Sequence, residues 1–332
     1  MTDQVAVLGA GAWGTTLARL LAERGPVKLW TWQAAHAEAL LRDGENRELL
    51  PGFALGPQLT PSAELSSALP GSSMVVVAVP SQAVRETLTA AAGLLEPDAT
   101  LVVVAKGIES GSLMLLSEVT RDVLGESGAQ RAVFLSGPSF ALEVARGLPT
   151  NLVAAGAVPE RCLLVQRRFA TDRLRVYSSD DPAGVQVGGA LKNVIAIAAG
   201  ASDGLGFGHN TRAALITRGL AEMARLAVAK GGNVLTLAGL SGLGDLVLTC
   251  SGELSRNRTV GFELGKGRQL DDVLAGLGHV AEGVTTTHSA YHLAERLGVD
   301  LPITSEVYAV LYGRKPVSSA VRDLLARPLK RE

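Results

Sequence analysis

The stretch "QVAVLGAGAWGTTLARLLAERG", Gln4 to Gly25, constrains the fold more than any other part of the chain. A short apolar run ends in Gly9, Gly11 and Gly14, and the residues beyond repeat their apolar character at helical spacing through Leu17, Leu20 and Leu21. A buried strand therefore hands over to a helix across three glycines. In such a unit the first glycine permits a tight turn, the second lets backbone approach a pyrophosphate, and the third lets the helix pack closely on the strand. N–H groups at the helix start then face the ligand's negative charge. A bare structural turn satisfies the same motif, but its place between strand and helix favours a dinucleotide. Trp13 is expected beside the cofactor or against the neighbouring loop. An acid to receive the ribose hydroxyls is expected about 20 residues on. The sequence there reads "LWTWQ", with Trp32 and Gln33 and neither carboxylate nor arginine. The Trp32 ring is free to stack on adenine or to join the core, and the choice between NAD and NADP stays open.

The first half continues the same alternation. Strand-like runs occur at "VKLWT", "MVVVAVP" (Met74 to Pro80), "TLVVVAK" (Thr100 to Lys106), "AVFLSG" (Ala132 to Gly137) and "NLVAAG" (Asn151 to Gly156). Helical patterns between them supply the crossovers of a mostly parallel sheet buried on both faces. Beyond Asp180-Asp181-Pro182 strand-like runs nearly vanish. Val185 to Ala201 is apolar around most of its circumference, as a central helix must be, and Thr211 to Lys230 is a second long candidate. Further helices are expected over Thr285–Arg296, Thr304–Leu311 and Ser318–Leu325. The expectation is an α/β, doubly wound, mostly parallel Rossmann-like domain over residues 1–181, followed by an all-α substrate-binding and catalytic domain over residues 182–332.

The 332-residue chain can bury a large core, and its length suits two domains. A formal net charge of -1 offers no broad basic field, which argues against nucleic acid and anionic membrane as partners. Two cysteines, Cys162 and Cys250, without metal-ligand spacing suit a reducing cytoplasm and predict no metal site. The amino terminus does not read as a signal peptide, and no run approaches the roughly 18 unbroken apolar residues of a membrane span. Stable membrane insertion is not expected.

Four segments carry chemistry. Lys106 and Gly107 in "VAKGIE" follow a strand, at the carboxyl end where ligands of open α/β sheets bind; a solvated loop lysine fits equally. In "SGPSFALEV", Gly137-Pro138-Ser139 follow another strand and open a helix, as a ligand site or an ordinary capped helix. Lys192 sits in the apolar run "GGALKNVIAIAAG". A desolvated ammonium has a lowered pKa, which suits a general base or acid; the alternative is a lysine neutralised by an ion pair. Asp245 in "GLGDLVLTC" is the expected partner, with Asn193 and Thr249 as polar neighbours. In "SGELSRNRTVGFELGKG", Ser255 reads as a helix cap followed by Arg256, Asn257 and Arg258. Arginines at a helix start oppose the dipole unless an anion is bound, so the segment is either a phosphate seat or a solvated basic face. His209, in "GLGFGHNT", is read as structuring a glycine-rich loop, and Cys250 as a small buried hydrophobe.

These segments, together with "VAVPSQ", "ALITRGLAEM" and "VAEGVTT", resemble in their order the bacterial NAD(P)-dependent glycerol-3-phosphate dehydrogenases. The resemblance spans nearly the whole chain. It implies reversible hydride transfer between NAD(P)H and dihydroxyacetone phosphate, giving sn-glycerol 3-phosphate for phospholipid synthesis. It further implies Lys192 as the proton acceptor or donor. Lys106, Gly137, Ser139, Asp245, Ser255, Arg256 and Asn257 would line the substrate site. Trp13, Ala141, Val280 and Glu282, with Lys106 and Arg256 again, would contact the cofactor. Ala12 stands where relatives often have serine, and Trp32 where histidine or arginine is frequent, which leaves NADP preference open. A phosphorylated triose is the expected partner, and a homodimer the assembly allowed for. Other readings are a β-hydroxyacid dehydrogenase with a similar layout and a non-catalytic dinucleotide sensor; the sensor has no need of Lys192, Asp245 and the basic helix start together.

Overall fold

The computed structural model describes residues 4–277 and 281–328, and the chain divides into two compact units. The first comprises Met1–Lys106 and Leu116–Pro182, the second Gly107–Leu115 and Ala183–Glu332.

The first unit holds an eight-stranded sheet in the order β3-β2-β1-β4-β5-β6-β7-β8. The strands are β1 (Gln4–Leu8), β2 (Val27–Trp30), β3 (Leu59–Ser62), β4 (Ser72–Val77), β5 (Thr100–Val103), β6 (Ala132–Ser136), β7 (Thr150–Gly156) and β8 (Leu174–Ser179). The first six run parallel in the dinucleotide-binding order, and the strand order reverses between β1 and β4, where such sheets open a ligand crevice. β7 turns antiparallel to β6 and β8 runs parallel to β7, which extends the sheet by two strands. Val5, Val7, Val76, Val102 and Val133 belong to one core cluster with Leu17 and Leu21 of the helix Ala12–Ala22, so the continuous apolar runs are explained by burial on both faces.

Two strands were not legible as strands. β3 reads Leu-Thr-Pro-Ser, and a proline is tolerated only because β3 is the sheet edge. β8 alternates buried and exposed residues instead of being buried throughout, so it lacks the apolar run that marks the others.

The second unit is built around the helix Pro182–Gly204, buried almost continuously from Gly184 to Ser202. It is long and apolar enough to cross a membrane by composition, but 89% of its apolar window is buried inside the fold, as a core helix requires. Helices His209–Ala229, Arg256–Gly265, Glu282–Leu297, Pro302–Gly313 and Val317–Leu325 surround the same core. The two-domain expectation missed one feature. Residues 107–115 form a short β-bridged segment, Ile108 opposite Leu115, whose two side chains enter the helical unit's core. Ser110 and Ser289 hydroxyls lie 3.2 Å apart, and Arg296 donates to the Ser112 and Leu113 carbonyls. Apolar residues flanking a turn read the same whichever core takes them.

Close approach fixes the central helix against Arg256–Gly265. A Cβ on Gly200 would stand 2.0 Å from the Arg258 carbonyl oxygen, and one on Gly261 1.9 Å from the Ile197 carbonyl oxygen. Gly204 and Gly265 repeat the contact one turn on. Two small-residue ridges thus bring the backbones together, and this sets where the start of Arg256–Gly265 lies.

Candidate active site

In the first unit the glycine turn shows three different needs for the absence of a side chain. Gly9 has φ +112°, and a Cβ there would lie 2.7 Å from the backbone of Ala78, just past β4. A Cβ on Gly14 would stand 1.9 Å from the Gly9 carbonyl oxygen, so this residue lets the helix close onto the turn. A Cβ built on Gly11 would meet nothing within 4 Å beyond its chain neighbours. The turn is therefore packed from below by Gly9 and Gly14 and open at Gly11. The first N–H groups of Ala12–Ala22 have no partner inside the helix. An open backbone surface at a helix start, where the strand order reverses, fits a pyrophosphate. Asn46 braces it from behind, donating to the Ala10 carbonyl at 2.9 Å and the Thr15 hydroxyl at 2.8 Å. Asn46 is a residue the sequence reading missed, since nothing local links it to the turn 36 residues earlier.

Trp13 is half-buried and packs against the core of this unit. Trp32 is 75% exposed, so it is not a core residue. Lys106 donates from Nζ to the Gly137 carbonyl at 3.0 Å, and the Ser139 hydroxyl donates to the same oxygen at 3.1 Å. Gly137 has φ +130°, and a Cβ there would lie 3.0 Å from the Asn151 carbonyl oxygen and 3.2 Å from the Leu152 Cα. Lys106, Gly137 and Ser139 are thus brought together beyond the ends of β5 and β6. Ser139 caps no helix: the helix is the short Ala141–Ala145, its N-cap is Phe140, and no side chain bonds there. The capped-helix alternative falls with that, and Ala141 is the first helical residue, its carbonyl accepting from Thr16.

In the second unit Lys192 and Asp245 form an ion pair at 2.5 Å, with side chains 10% and 0% exposed. A five-residue π-helical stretch, Leu240–Gly244, precedes Asp245, and a Cβ on Gly188 would lie 2.4 Å from the Ser241 carbonyl oxygen. The wide turn, pressed on the central helix one turn before Lys192, carries Asp245 to the ammonium. The Thr249 hydroxyl donates to the Asp245 carbonyl at 2.6 Å. A buried pair of this kind holds the lysine side chain in one place.

Ser255 is the N-cap of Arg256–Gly265, its hydroxyl accepting from the Arg258 N–H at 3.3 Å. The buried Asn257 amide joins three helices: its Nδ2 donates to Asn193 Oδ1 and its Oδ1 accepts from the Gly283 N–H, both at 2.9 Å. Gly283 has to be glycine, because a Cβ would meet Asn257 Oδ1 at 2.6 Å. Glu282 opens that same helix. Val280 lies outside the described residues. Arg258 corrects the reading of two basic residues in an anion seat: its guanidinium is paired with Asp203 at 2.8 Å. Arg256 is the first residue of this helix, is exposed and makes no ion pair with a described residue. His209 is exposed at the start of its helix. Cys250 is buried, and desolvation pushes its thiol up to about 12.

An open glycine turn on a doubly wound sheet, and a helical unit with a buried lysine–aspartate pair near a cationic helix start, define a nicotinamide-dependent dehydrogenase. Residues 4–162 match the profile of the NAD-dependent glycerol-3-phosphate dehydrogenase N-terminus, and residues 181–322 that of the C-terminus. A Geobacter sulfurreducens protein named glycerol-3-phosphate dehydrogenase, NAD(P)+, is 52% identical over 333 residues, covering 100% of this chain and 99% of its own. A Myxococcus xanthus protein of the same name is 50% identical, with 98% of each chain covered. The crystal structure of glycerol-3-phosphate dehydrogenase from Coxiella burnetii superposes with a TM-score of 0.94 at 38% identity, covering 98% of this chain and 99% of that one. The chain belongs to the NAD-dependent glycerol-3-phosphate dehydrogenase family.

Proposed function

We propose that the chain reversibly reduces dihydroxyacetone phosphate to sn-glycerol 3-phosphate with NADH or NADPH, supplying glycerophospholipid synthesis in the cytoplasm. The observation that carries the reading is the buried Lys192–Asp245 pair, set within one helical core beside a helix start that presents Arg256. Gly9, Gly11, Trp13 and Gly14 would hold the dinucleotide, Gly11 by offering bare backbone to the pyrophosphate. When bound, the nicotinamide supplies or accepts the hydride. Lys192 does the proton work. In reduction its Nζ–H donates to the carbonyl oxygen as negative charge grows there, and in oxidation it receives the hydroxyl proton. Asp245, paired with that Nζ at 2.5 Å, aims it. Arg256 and the first-turn N–H groups take the substrate phosphate, remote from the reacting carbon, and convert its binding into alignment. Asn257 spends one side-chain N–H on Asn193 and accepts from Gly283, so its part is chiefly to fix the seat's backbone, with one side-chain N–H left for phosphate. Lys106 and Ser139 meet at the Gly137 carbonyl, and the family resemblance assigns both to substrate binding.

Initial rates with dihydroxyacetone phosphate and with unphosphorylated dihydroxyacetone, each with NADH and NADPH, test the reading. Robust turnover of the phosphate alone is expected. Arg256→Ala should lose about 10- to 100-fold in kcat/KM for the phosphorylated substrate, the range for one charged hydrogen-bonding group. Parental kinetics in that variant sink the seat assignment, and absence of turnover in the parent sinks the activity.

A further inference from the structure

We infer that Asp203 is the positioning residue of the phosphate seat, a role that rests on the reading of Arg256 as the phosphate-binding cation. Asp203 stands one residue from the end of the central helix, with its side chain 6% exposed. Its Oδ2 accepts from Arg258 Nε at 3.0 Å and Nη2 at 2.8 Å, and its Oδ1 from Arg212 Nε at 3.1 Å and Nη2 at 2.8 Å. One carboxylate therefore ties the first turns of His209–Ala229 and Arg256–Gly265 to the end of the central helix.

Every charge in this cluster opposes the local helix dipole: a carboxylate at a helix C-terminus and arginines at two N-termini. Helix electrostatics alone would not place them so. Their mutual pairing does, and the two-point contacts of Arg212 and Arg258 fix direction as well as distance. Arg258 is also held by its main chain, whose carbonyl rests against Gly200. Arg256 lies two residues earlier on the same turn. A slip of one residue would swing it by about 100° around the helix axis, at 3.6 residues per turn. Two arginines on one carboxylate also leave a net positive charge beside the seat, while Arg258 itself is kept from competing with Arg256 for the anion.

A merely structural ion cluster would affect stability and all kinetic constants together. A positioning role affects the phosphorylated substrate and acts through Arg256. In Asp203→Asn, which keeps the side-chain shape, KM for dihydroxyacetone phosphate should rise about tenfold or more, with KM for NADH within about twofold. In the Arg256→Ala background the same change should add less than about twofold, because both remove one function. Multiplying effects, equal damage to both KM values, or a parental Asp203→Asn beside a crippled Arg256→Ala overturn this inference alone. A parental Arg256→Ala overturns the seat, and this inference with it. Should Asp203→Asn fail to fold, Arg258→Lys keeps the charge but not the two-point geometry and should raise KM for the phosphorylated substrate about threefold or more. Parental kinetics there overturn the proposal.

Discussion

The glycine turn after β1 and the helix junction around Lys192 both present polarity from a densely packed place, and they do so by opposite means. The turn uses main chain alone, within the six residues from Gly9 to Gly14, and carries no ionisable group. The junction uses side chains far apart in sequence: Lys192 meets Asp245 across 53 residues and Asn193 meets Asn257 across 64. Backbone donors at a helix start are obligatory products of the fold and need only to be left uncovered. Charges in a core are costly and persist only in pairs. The turn should therefore tolerate substitution according to geometry, and the junction according to charge balance.

The largest expected effect separates stability from chemistry at the junction. Lys192→Ala takes away the ammonium facing a carboxylate that is 0% exposed, at a cost of about 3–5 kcal/mol. Turnover should fall about 100- to 10,000-fold. Replacing both partners, Lys192→Met with Asp245→Leu, should restore much of the thermal stability and none of the turnover, as paired apolar substitutes for buried ion pairs do. Denaturant midpoints and steady-state rates on the three proteins decide this. Recovered activity in the double variant would remove Lys192 from the chemistry.

At the turn, two alanine substitutions three residues apart should behave differently. Gly14→Ala drives a Cβ to 1.9 Å from the Gly9 carbonyl oxygen and should cost about 1–3 kcal/mol of stability. Gly11→Ala meets nothing within 4 Å and should change stability by less than about 0.5 kcal/mol. Its effect should appear in the dissociation constant for NADH, weakened about tenfold or more because the methyl group occupies the open backbone face. Unchanged NADH affinity in Gly11→Ala would detach the turn from the cofactor.

How much of each region the sequence disclosed follows from the same contrast. The turn was readable because strand, glycines and helix are contiguous, and because both-face burial leaves unbroken apolar runs. Lys192 was readable as an anomaly, a cation inside an apolar helix. Asp245 was reachable as its counter-charge. The Asp203 clamp was not readable: Asp203 and Arg212 look like ordinary surface charges, and Arg258 reads as part of the anion seat until three helix ends meet. Nor was the transfer of residues 107–115 to the helical unit, since Ile108 and Leu115 give no sign of which core receives them. The two glycine pairs, Gly200 with Gly204 and Gly261 with Gly265, did carry a legible four-residue spacing, whose meaning depended on the partner helix.

A smaller effect concerns a buried acid in the helical unit. Glu222 is 1% exposed and accepts from the Ile303 and Thr304 N–H groups and the Thr304 hydroxyl, which caps Pro302–Gly313 from a neighbouring helix. Burial raises its pKa, and those hydrogen bonds offset the rise only in part. The folded chain then keeps the proton at pH values where the unfolded chain, near the ordinary 4.5, has lost it. Its stabilising contribution is complete below that value and is lost as pH rises through the folded pKa. Thermal midpoints of parent and Glu222→Gln should therefore differ most in the parent's favour at acid pH, with the gap narrowing toward neutrality. A gap that widens as pH rises would show that the three donors outweigh burial.

The smallest expected effect is an absence of reaction, and it separates a buried thiol from the groups that work beside it. Desolvation pushes the Cys250 thiol up to about 12, against the partial opposition of the Lys192 ammonium. The thiolate is the reactive form, and at pH 8 its fraction is on the order of one in ten thousand. Iodoacetamide at pH 8 should leave Cys250 unmodified and turnover unchanged over a period in which the denatured chain is fully labelled. Rapid native-state alkylation of Cys250, read by peptide mass, would mean that water reaches the helical core around Lys192 and Asp245, and the buried setting of that pair would fall with it.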